Sequence, residues 1–256
     1  MNKVIEQIHA HRSIRKFQKK DIENSVLSEI LEAATMASSS GNMQSYSIIV
    51  TKDQGMKSQM FESHFKQSML MDAPIFLTFC ADFNRMRRWL QISNAANNFD
   101  NYMSFMISSI DAILASQNAA LAAESLGLGL CYMGTTLASA KDIGEVLELP
   151  QNVVPIVGFA LGYPDEAPEL RKRLPLKGII HHEKYQRYCD DDIREIYREK
   201  EEQGLDRYKS LNLNEIHNLA QIYTQVKYTE ESHIMYSESL LQYLKDQNFL
   251  TGNSLV

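Results

Sequence analysis

Four residues near the start of the chain carry groups that bind phosphate well. His11, Arg12, Ser13 and Arg15 place an imidazole, a hydroxyl and two guanidiniums within five positions. A guanidinium presents paired N–H donors that match two oxygens of one phosphate, whereas a lysine ammonium acts as a point charge. The cluster therefore indicates a phosphate site. A solvated basic turn is the alternative that the cluster alone leaves open.

A second basic cluster occurs much later in the chain, at Arg171, Lys172 and Arg173. It follows a Gly-Tyr-Pro turn at residues 162–164 that leaves a predicted strand, so it lies on a loop that the scaffold fixes, and such loops commonly carry binding groups. If the two clusters meet, four or five cations surround one phosphate in a chain whose net charge is -6. The alternative is a solubilising loop.

Two further segments contain residues that allow close contact with a polar ring. Residues 37–44 combine small residues with serine hydroxyls and the amides of Asn42 and Gln44, which suits hydrogen bonding to a heterocycle. Residues 127–135 carry glycines in the spacing GxGxxxxG. The dinucleotide-binding motif has the spacing GxGxxG and follows a strand, whereas this segment follows a predicted helix. Neither segment identifies a ligand alone.

Apolar periodicity predicts the elements that position these segments. Helices are predicted over residues 4–8, 26–34, 104–126 and 141–149, and strands over 46–51, 75–81, 128–133 and 153–160. Asn24 or Ser25 is the predicted N-cap of the second helix. The stretch 104–126 is apolar around most of its circumference, which is typical of a buried central helix. The strand at 46–51 is predicted to be half exposed.

The composition changes to polar and acidic after residue 188, although apolar residues keep helical spacing there. We therefore predict two domains, a cofactor-binding domain over residues 1–188 and a helical C-terminal extension over residues 189–256.

Composition also limits the classes of function. With 256 residues and 44% hydrophobic residues, the chain can form a substantial core. Its net negative charge is unfavourable for general nucleic-acid binding. No uninterrupted apolar run approaches the roughly 20 residues of a membrane span, and the polar start is unlike a signal peptide, which predicts a cytoplasmic protein. Cys80, Cys131 and Cys189 form no CxxC pair, so we expect reduced cysteines and no zinc site.

Taken together, these segments resemble the nitroreductase family, specifically its branch of NADPH-dependent nitro and flavin reductases. The resemblance covers residues 4–188. Its motifs are HRSIRKF, ASSSGNMQSYSIIV, AAESLGLGLCYMG, VVPIVGFALGYP, and RLP followed by HHEKYQ, in the family's order and spacing. The resemblance implies an FMN-dependent oxidoreductase that takes hydride from NAD(P)H and passes it to a small electrophile such as a nitroaromatic, a quinone or free flavin.

The resemblance also assigns residues to the cofactor. The implied FMN-binding residues are His11, Arg12, Ser13, Arg15, Ser39, Ser40, Gln67, Tyr132, Met133, Gly134, Arg171 and Arg173. The first four and the two last arginines would hold the phosphate and ribityl chain. The two serines would lie near the ring or the ribityl chain, Gln67 at the ring edge, and residues 132–134 near the ring with backbone donors. No catalytic side chain and no metal are predicted, because the cofactor carries the hydride chemistry.

The implied fold is α+β, with a mostly antiparallel sheet of four or five strands flanked by helices. The resemblance further implies an intimate homodimer with FMN at the subunit interface. Two other functions stay open at this point. One is a flavin-binding sensor or storage protein without turnover. The other is an interaction domain whose basic loops hold a different anion.

The chain departs from the family pattern in two places. Arg171-Lys172-Arg173 stands where the family often has Lys-Pro-Arg, which retains cations but removes the fixed φ of proline. Residues 198–202 mix Arg198 and Lys200 with three glutamates in the extension where relatives present arginines to the 2′-phosphate of NADPH. We therefore predict weak discrimination between NADPH and NADH, or a preference for NADH. The alternative is a solvated helix far from the nicotinamide.

Three other groups receive no functional role. The histidines His181 and His182 lack a third metal ligand at usable spacing. The basic and aromatic patch at residues 85–89 is compatible with stacking on a base or nicotinamide and equally with an ordinary helix start. Cys131 is interpreted as a small core residue rather than a redox thiol.

Overall fold

The structure is a computed structural model that describes residues 2–208 and 216–250. Its strands are β1 (Tyr46–Thr51), β2 (Ile75–Asp82), β3 (Gly129–Met133) and β4 (Val153–Gly162). Its helices are α1 (Lys3–Ala10), α2 (Asn24–Thr35), α3 (Gln54–Met60), α4 (Met69–Asp72), α5 (Asn84–Ile92), α6 (Tyr102–Ser125), α7 (Thr135–Ala138), α8 (Ala140–Val146), α9 (Asp190–Tyr208), α10 (Leu219–Ile222) and α11 (Glu230–Asp246).

The four strands form one sheet in the order β1-β2-β4-β3, and every neighbouring pair is antiparallel. All residues of the central strand β2 are buried, and β4 is buried except at Val157. Continuous apolar runs of this kind arise where a strand is covered on both faces. The edge strand β1 is half buried over Ser47–Val50, as predicted. The predicted α+β fold with an antiparallel sheet is confirmed.

The central helix α6 packs against α2, β2 and β4. Its contact face consists largely of fully buried alanines, including Ala112, Ala115 and Ala119, and small side chains let the helix approach the sheet closely. Asn101 caps its start by accepting a hydrogen bond from the Ser104 N–H at 3.0 Å. The helix ends before Gly127, which has a left-handed φ of 79°. This buried central helix was predicted.

By length and hydropathy α6 would also suffice to cross a membrane. Half of the qualifying stretch is buried inside the protein, and its buried face carries the acidic Asp111. The core helix of a globular protein meets the same criteria, and this packing identifies α6 as such a helix.

The predicted N-cap of α2 is wrong. Glu23 occupies the N-cap position, and its side chain makes no capping hydrogen bond. Asn24 is the first helical residue, and its side-chain oxygen accepts a hydrogen bond from Lys52 Nζ at 3.0 Å instead. A contact with a residue 28 positions away has therefore replaced the local cap.

The chain divides into two compact units, Met1–Glu169 with Tyr236–Val256, and Leu170–Met235. The first unit contains the sheet and α1 to α8. In the second unit, α9 packs against α10, where the Gly204 position contacts Leu219. Helices were predicted for the extension, and α9 and α11 confirm them. The proposed domain boundary after residue 188 stays a prediction.

Candidate active site

The first basic cluster lies beside strand β3. The Ile14 N–H donates to the Leu130 carbonyl at 2.9 Å, and the Ile14 side chain is buried against Gly129, where an added Cβ would lie 2.5 Å from Ile14 Cγ1. Further on, Phe17 forms an antiparallel bridge with Pro164. The close approach at Gly129 and these backbone pairings fix the segment on the sheet. Ser13 and Arg15 flank the buried isoleucine and are more exposed.

The side chains of this cluster differ in their partners. Arg12 donates to two backbone carbonyls, Nη1 to Pro168 at 3.0 Å and Nε to Ala10 at 3.2 Å. His11 Nδ1 lies 2.6 Å from Glu124 Oε1, and because a carboxylate only accepts, Nδ1 is the donor. Within residues 2–208 and 216–250, neither the Arg15 guanidinium nor the Ser13 hydroxyl has a partner. These two groups are therefore the donors available to an anion.

Residues 37–44, called the serine segment below, are joined to α6 by Asp111. Ser39 Oγ donates to Asp111 Oδ2 at 2.7 Å, and the Ser40 N–H donates to Asp111 Oδ1 at 3.0 Å. The segment forms a single 3-10 turn over Ser40–Asn42, so the predicted loop at residues 37–44 is confirmed.

Residues 64–67, called the Gln67 segment below, are held at the end of β3 by a buried histidine. His64 is fully buried, and its Nδ1 lies 2.8 Å from Thr135 Oγ1. Thr135 directly follows Gly134, where no heavy atom lies within 4 Å of an added Cβ. Gln67 is half buried, and its amide makes no hydrogen bond in the described part of the chain. The unpaired Gln67 amide therefore lies in a segment that His64 bonds to Thr135, next to the open backbone at Gly134.

The aromatic and apolar residues of the segment 127–135 pack into the protein. Tyr132 donates from its hydroxyl to Ser116 Oγ at 3.1 Å, and burial raises the pKa of its phenol. Met133 is 2% exposed and belongs to the core between β3 and α8. The Met133 side chain is therefore part of the core, and only the backbone groups of Met133 can contact a ligand.

Helix α6 connects three of the four predicted cofactor segments. Asp111 bonds the serine segment, Ser116 bonds Tyr132, and Glu124 bonds His11. From Asp111 to Glu124 the helix rises by roughly 20 Å at 1.5 Å per residue. Sequence reasoning missed these partners, and one signal was available for Asp111, which is the only charged residue between positions 102 and 123. A charge in an otherwise uncharged buried helix requires partners.

The second basic cluster lies in the second unit. Arg171, Lys172 and Arg173 line a cavity of about 360 Å³, together with Lys200 and Lys227. Lys172 Nζ lies 2.8 Å from Glu199 Oε2, and this hydrogen bond lowers the pKa of the glutamate. The two clusters lie in different units, and the prediction that Arg171 and Arg173 join the first cluster stays a prediction.

Two of the three glutamates in the 198–202 segment have partners. Glu199 pairs with Lys172, and Glu201 Oε2 accepts a hydrogen bond from the Leu219 N–H at 2.6 Å. The sequence places two further cations, Arg207 and Lys209, after these glutamates, where they could offset the acidic charge. The Arg207 side chain and the whole of Lys209 lie outside the described residues.

His181 and Arg85, to which the sequence assigned no function, make hydrogen bonds within the protein. His181 uses both ring nitrogens, since Nδ1 accepts from the Gln186 N–H at 3.1 Å and Nε2 lies 3.2 Å from the Tyr188 hydroxyl. Arg85 donates to the backbone carbonyls of Gln44 and Tyr46. These contacts account for His181 and Arg85 without a ligand.

Comparison with known proteins places these features in a family. Residues 8–163 match the model of the nitroreductase family. This chain belongs to the nitroreductase family. The chain is 37% identical to an NADPH-flavin oxidoreductase of Vibrio harveyi over 198 residues, which are 76% of this chain and 79% of that protein. It is 35% identical to an FMN reductase (NADPH) of Bacillus subtilis strain 168, over 75% of this chain and 78% of that protein.

Solved structures of family members have the same fold. A crystal structure from Bacteroides fragilis NCTC 9343 superimposes with a TM-score of 0.92 and 39% identity, covering 96% of this chain and all of that one. The NADPH:FMN oxidoreductase from Vibrio harveyi, complexed with NAD+, superimposes with a TM-score of 0.81 and 32% identity over 98% of this chain and all of that one. Membership in the NADPH-dependent branch, implied by the sequence motifs, is confirmed.

Proposed function

We propose that this nitroreductase is an FMN-dependent oxidoreductase that moves hydride from NAD(P)H to small electrophiles such as nitroaromatics, quinones or free flavin. One observation carries the proposal. In a member of this family, three of the four segments that the motifs assign to FMN are held on one helix, α6. The named relatives are reductases, and nothing in the described residues favours a sensor or storage role.

The residues fit the chemistry of FMN. The unpaired Arg15 guanidinium and Ser13 hydroxyl supply donors for a phosphate. The amide of Gln67 can bond a polar ring edge, and the open backbone at Gly134 lets a flat ligand approach. Arg12 and His11 have protein partners in this structure, so we assign them to the support of the segment as well as to the ribityl and phosphate region.

Bound FMN supplies hydride transfer, which is chemistry that no protein side chain provides. The role of the chain is to bind the phosphate and to orient the ring. No side chain is required as an acid, base or nucleophile, so we assign no catalytic residue. The function is tested by flavin absorbance of the purified protein and by its oxidation of NADH or NADPH with a nitroaromatic or quinone. A yellow protein without turnover would support the sensor or storage alternative.

We expect ping-pong kinetics. One flavin site must serve the nicotinamide and the acceptor in turn, so the oxidised nicotinamide has to leave before the acceptor binds. Initial rates are measured at several fixed acceptor concentrations, and double-reciprocal lines are expected to run parallel. Intersecting lines would show that donor and acceptor occupy separate sites at the same time.

We further propose that the protein is a homodimer with FMN at the subunit interface. The face of α6 that points away from the sheet exposes Met103, Met106, Ile110 and Ile113, each by 38% or more. Exposed apolar side chains at helical spacing form a contiguous patch that a protein surface rarely leaves uncovered. A second copy of this chain is the occupant that the family implies. We also propose a cytoplasmic location, in agreement with three free cysteines.

We expect the enzyme to discriminate less than about tenfold between NADH and NADPH. Three glutamates would repel a 2′-phosphate, but the charge of Glu199 is already paired with Lys172. Exposed charges that pair with each other neither attract nor repel a ligand strongly. Weak discrimination, rather than a strong preference for NADH, is therefore the expected result.

The measurement is kcat/KM for both donors at low salt. Lys172→Ala is the matched variant, because it removes the cation that pairs with the Glu199 carboxylate. It is expected to lower kcat/KM for NADPH relative to NADH. A wild-type preference for NADPH well above tenfold would contradict the prediction.

A further inference from the structure

Asp111 is a buried carboxylate whose hydrogen-bond donors, among the residues that the structure describes, all lie on one loop. It is 1% exposed and lies near the middle of α6. Its donors are Ser39 Oγ at 2.7 Å, the Ser40 N–H at 3.0 Å, Ser45 Oγ at 2.9 Å and the Ser45 N–H at 3.4 Å. A buried carboxylate requires such donors to compensate for its lost hydration. Both ends of the loop are therefore tied to a single side chain.

The backbone between these ends is strained. Gly41, Asn42 and Gln44 all have left-handed φ values, of 56°, 55° and 46°. A left-handed conformation is unfavourable for residues other than glycine and persists only where the surroundings hold it. Asp111 holds this backbone from the side of α6. Arg85 holds it from the other side, through the carbonyls of Gln44 and Tyr46.

The hydrogen bonds of Asp111 also decide which serine hydroxyl is available. A hydroxyl has one proton, and that of Ser39 is donated to Asp111. Ser39 Oγ additionally accepts from the Gln44 N–H at 2.7 Å. The hydroxyl of Ser40 has no partner among residues 2–208 and 216–250. Of the two serines assigned to the cofactor, Ser40 is thus the one that has a proton to donate.

We propose that Asp111 is a positioning residue for the cofactor. Its carboxylate fixes the strained loop over residues 39–45 and accepts the hydrogen bond of the Ser39 hydroxyl, so that the Ser40 hydroxyl faces the flavin as a donor. Asp111 acts through Ser40 and touches no reacting atom. The inference rests on the proposed FMN-dependent function, and it names how this chain prepares the serine segment for FMN.

The test is the FMN dissociation constant of the apoprotein, measured by quenching of flavin fluorescence. Asp111→Asn keeps the side-chain volume but offers one acceptor oxygen and an NH₂ group to four donors. It is expected to weaken FMN binding at least about tenfold, which corresponds to roughly 1.4 kcal/mol. Ser108→Ala is the matched control, because Ser108 is also buried on α6, and its hydroxyl bonds carbonyls of its own helix in the part of the chain that is described. The control is expected to bind FMN as the wild type does.

A double-mutant cycle separates positioning from a general loss of stability. If Asp111 acts through Ser40, then Ser40→Ala weakens FMN binding in the wild type and adds little in the Asp111→Asn background. Fully additive effects would overturn the positioning role. A folded Asp111→Asn protein with wild-type affinity would overturn it as well.

A milder variant covers the case in which Asp111→Asn does not fold. Ser45→Ala removes one donor and leaves the carboxylate in place, and we expect FMN binding to weaken roughly two- to tenfold. Unchanged affinity in that variant would overturn the inference. Wild-type protein that binds no FMN would overturn both the inference and the proposed function, whereas wild-type binding with unaltered variants would overturn the inference alone.

Discussion

Replacement of Arg15 by alanine is expected to weaken FMN binding roughly 10- to 150-fold, because a hydrogen bond between charged groups contributes about 1.5–3 kcal/mol. The Arg15 guanidinium has no partner in the described residues, while its backbone N–H is held by Glu166 at 2.5 Å. The backbone is thus fixed and the charge is available, so the variant removes a ligand contact rather than a structural one. Equilibrium titration of the apoprotein with FMN measures the effect.

The control is Lys16→Ala. Lys16 is the adjacent exposed residue, its N–H bonds the same Glu166 carboxylate at 3.1 Å, and its loss lowers the net charge equally. Near wild-type affinity is expected for this variant. Equal weakening in both variants would mean that general electrostatics, not a contact of Arg15, attracts the phosphate. Arg173→Ala, assayed in the same way, tests the assignment that the family motif makes for the second cluster.

The sequence was sufficient to predict the elements whose pattern is set by burial. The strand over residues 46–51 has the predicted bounds, and the central helix extends from Tyr102 to Ser125 where 104–126 was predicted. Local patterns failed where tertiary contacts compete with them. Asn24 has the side chain of a good N-cap, but Lys52 binds its oxygen. The short helix α3 was not predicted, since it has no long apolar stripe, and a helix start at residues 85–89, where α5 lies, was only one of two readings.

The sequence was sufficient to predict which segments form the candidate site, but not the hydrogen bonds that hold these segments together. The motifs identified the basic turn, the serine segment and the residues around Gly134 in sequence order. Their partners are far away in the chain, since Asp111 is 72 residues from Ser39 and Glu124 is 113 residues from His11. Neither hydrophobic periodicity nor residue type indicates which carboxylate meets which donor. Only the packing of α6 on the sheet determines that choice.

The same limitation applies to His64, which no sequence pattern singled out and which gives the second large expected effect. Burial lowers the pKa of His64 to about 4, from an ordinary value of 6.5. Its Nε2 has no hydrogen-bond partner in the described part of the chain, so a second proton on the ring would be buried without an acceptor. As the pH falls below 6.5, the unfolded chain binds this proton first. The stability present above pH 6.5 is therefore lost progressively down to pH 4.

We expect this histidine to account for about 3 kcal/mol of lost unfolding free energy between pH 6.5 and pH 4, at 1.36 kcal/mol per pKa unit. The comparison is between wild type and His64→Asn, whose amide can still bond Thr135 Oγ1 but does not titrate. Denaturant unfolding at several pH values is expected to show a smaller acid loss in the variant, although carboxylates lower the stability of both proteins. His9→Asn, at an exposed position of α1, should behave as the wild type does.

FMN binding is expected to weaken over the same pH range as the unfolding free energy falls. The bond from His64 to Thr135 joins the Gln67 segment to the backbone beside Gly134. A proton on Nε2 would be buried without an acceptor, so protonation would favour opening of this contact between two segments assigned to the flavin. Wild-type protein is therefore expected to release FMN as the pH falls from 6.5 towards 4, and His64→Asn to retain it to lower pH. Flavin fluorescence measured along the same titration records the release. Identical acid profiles for the two proteins, in both unfolding and flavin release, would show that His64 does not titrate as a buried group.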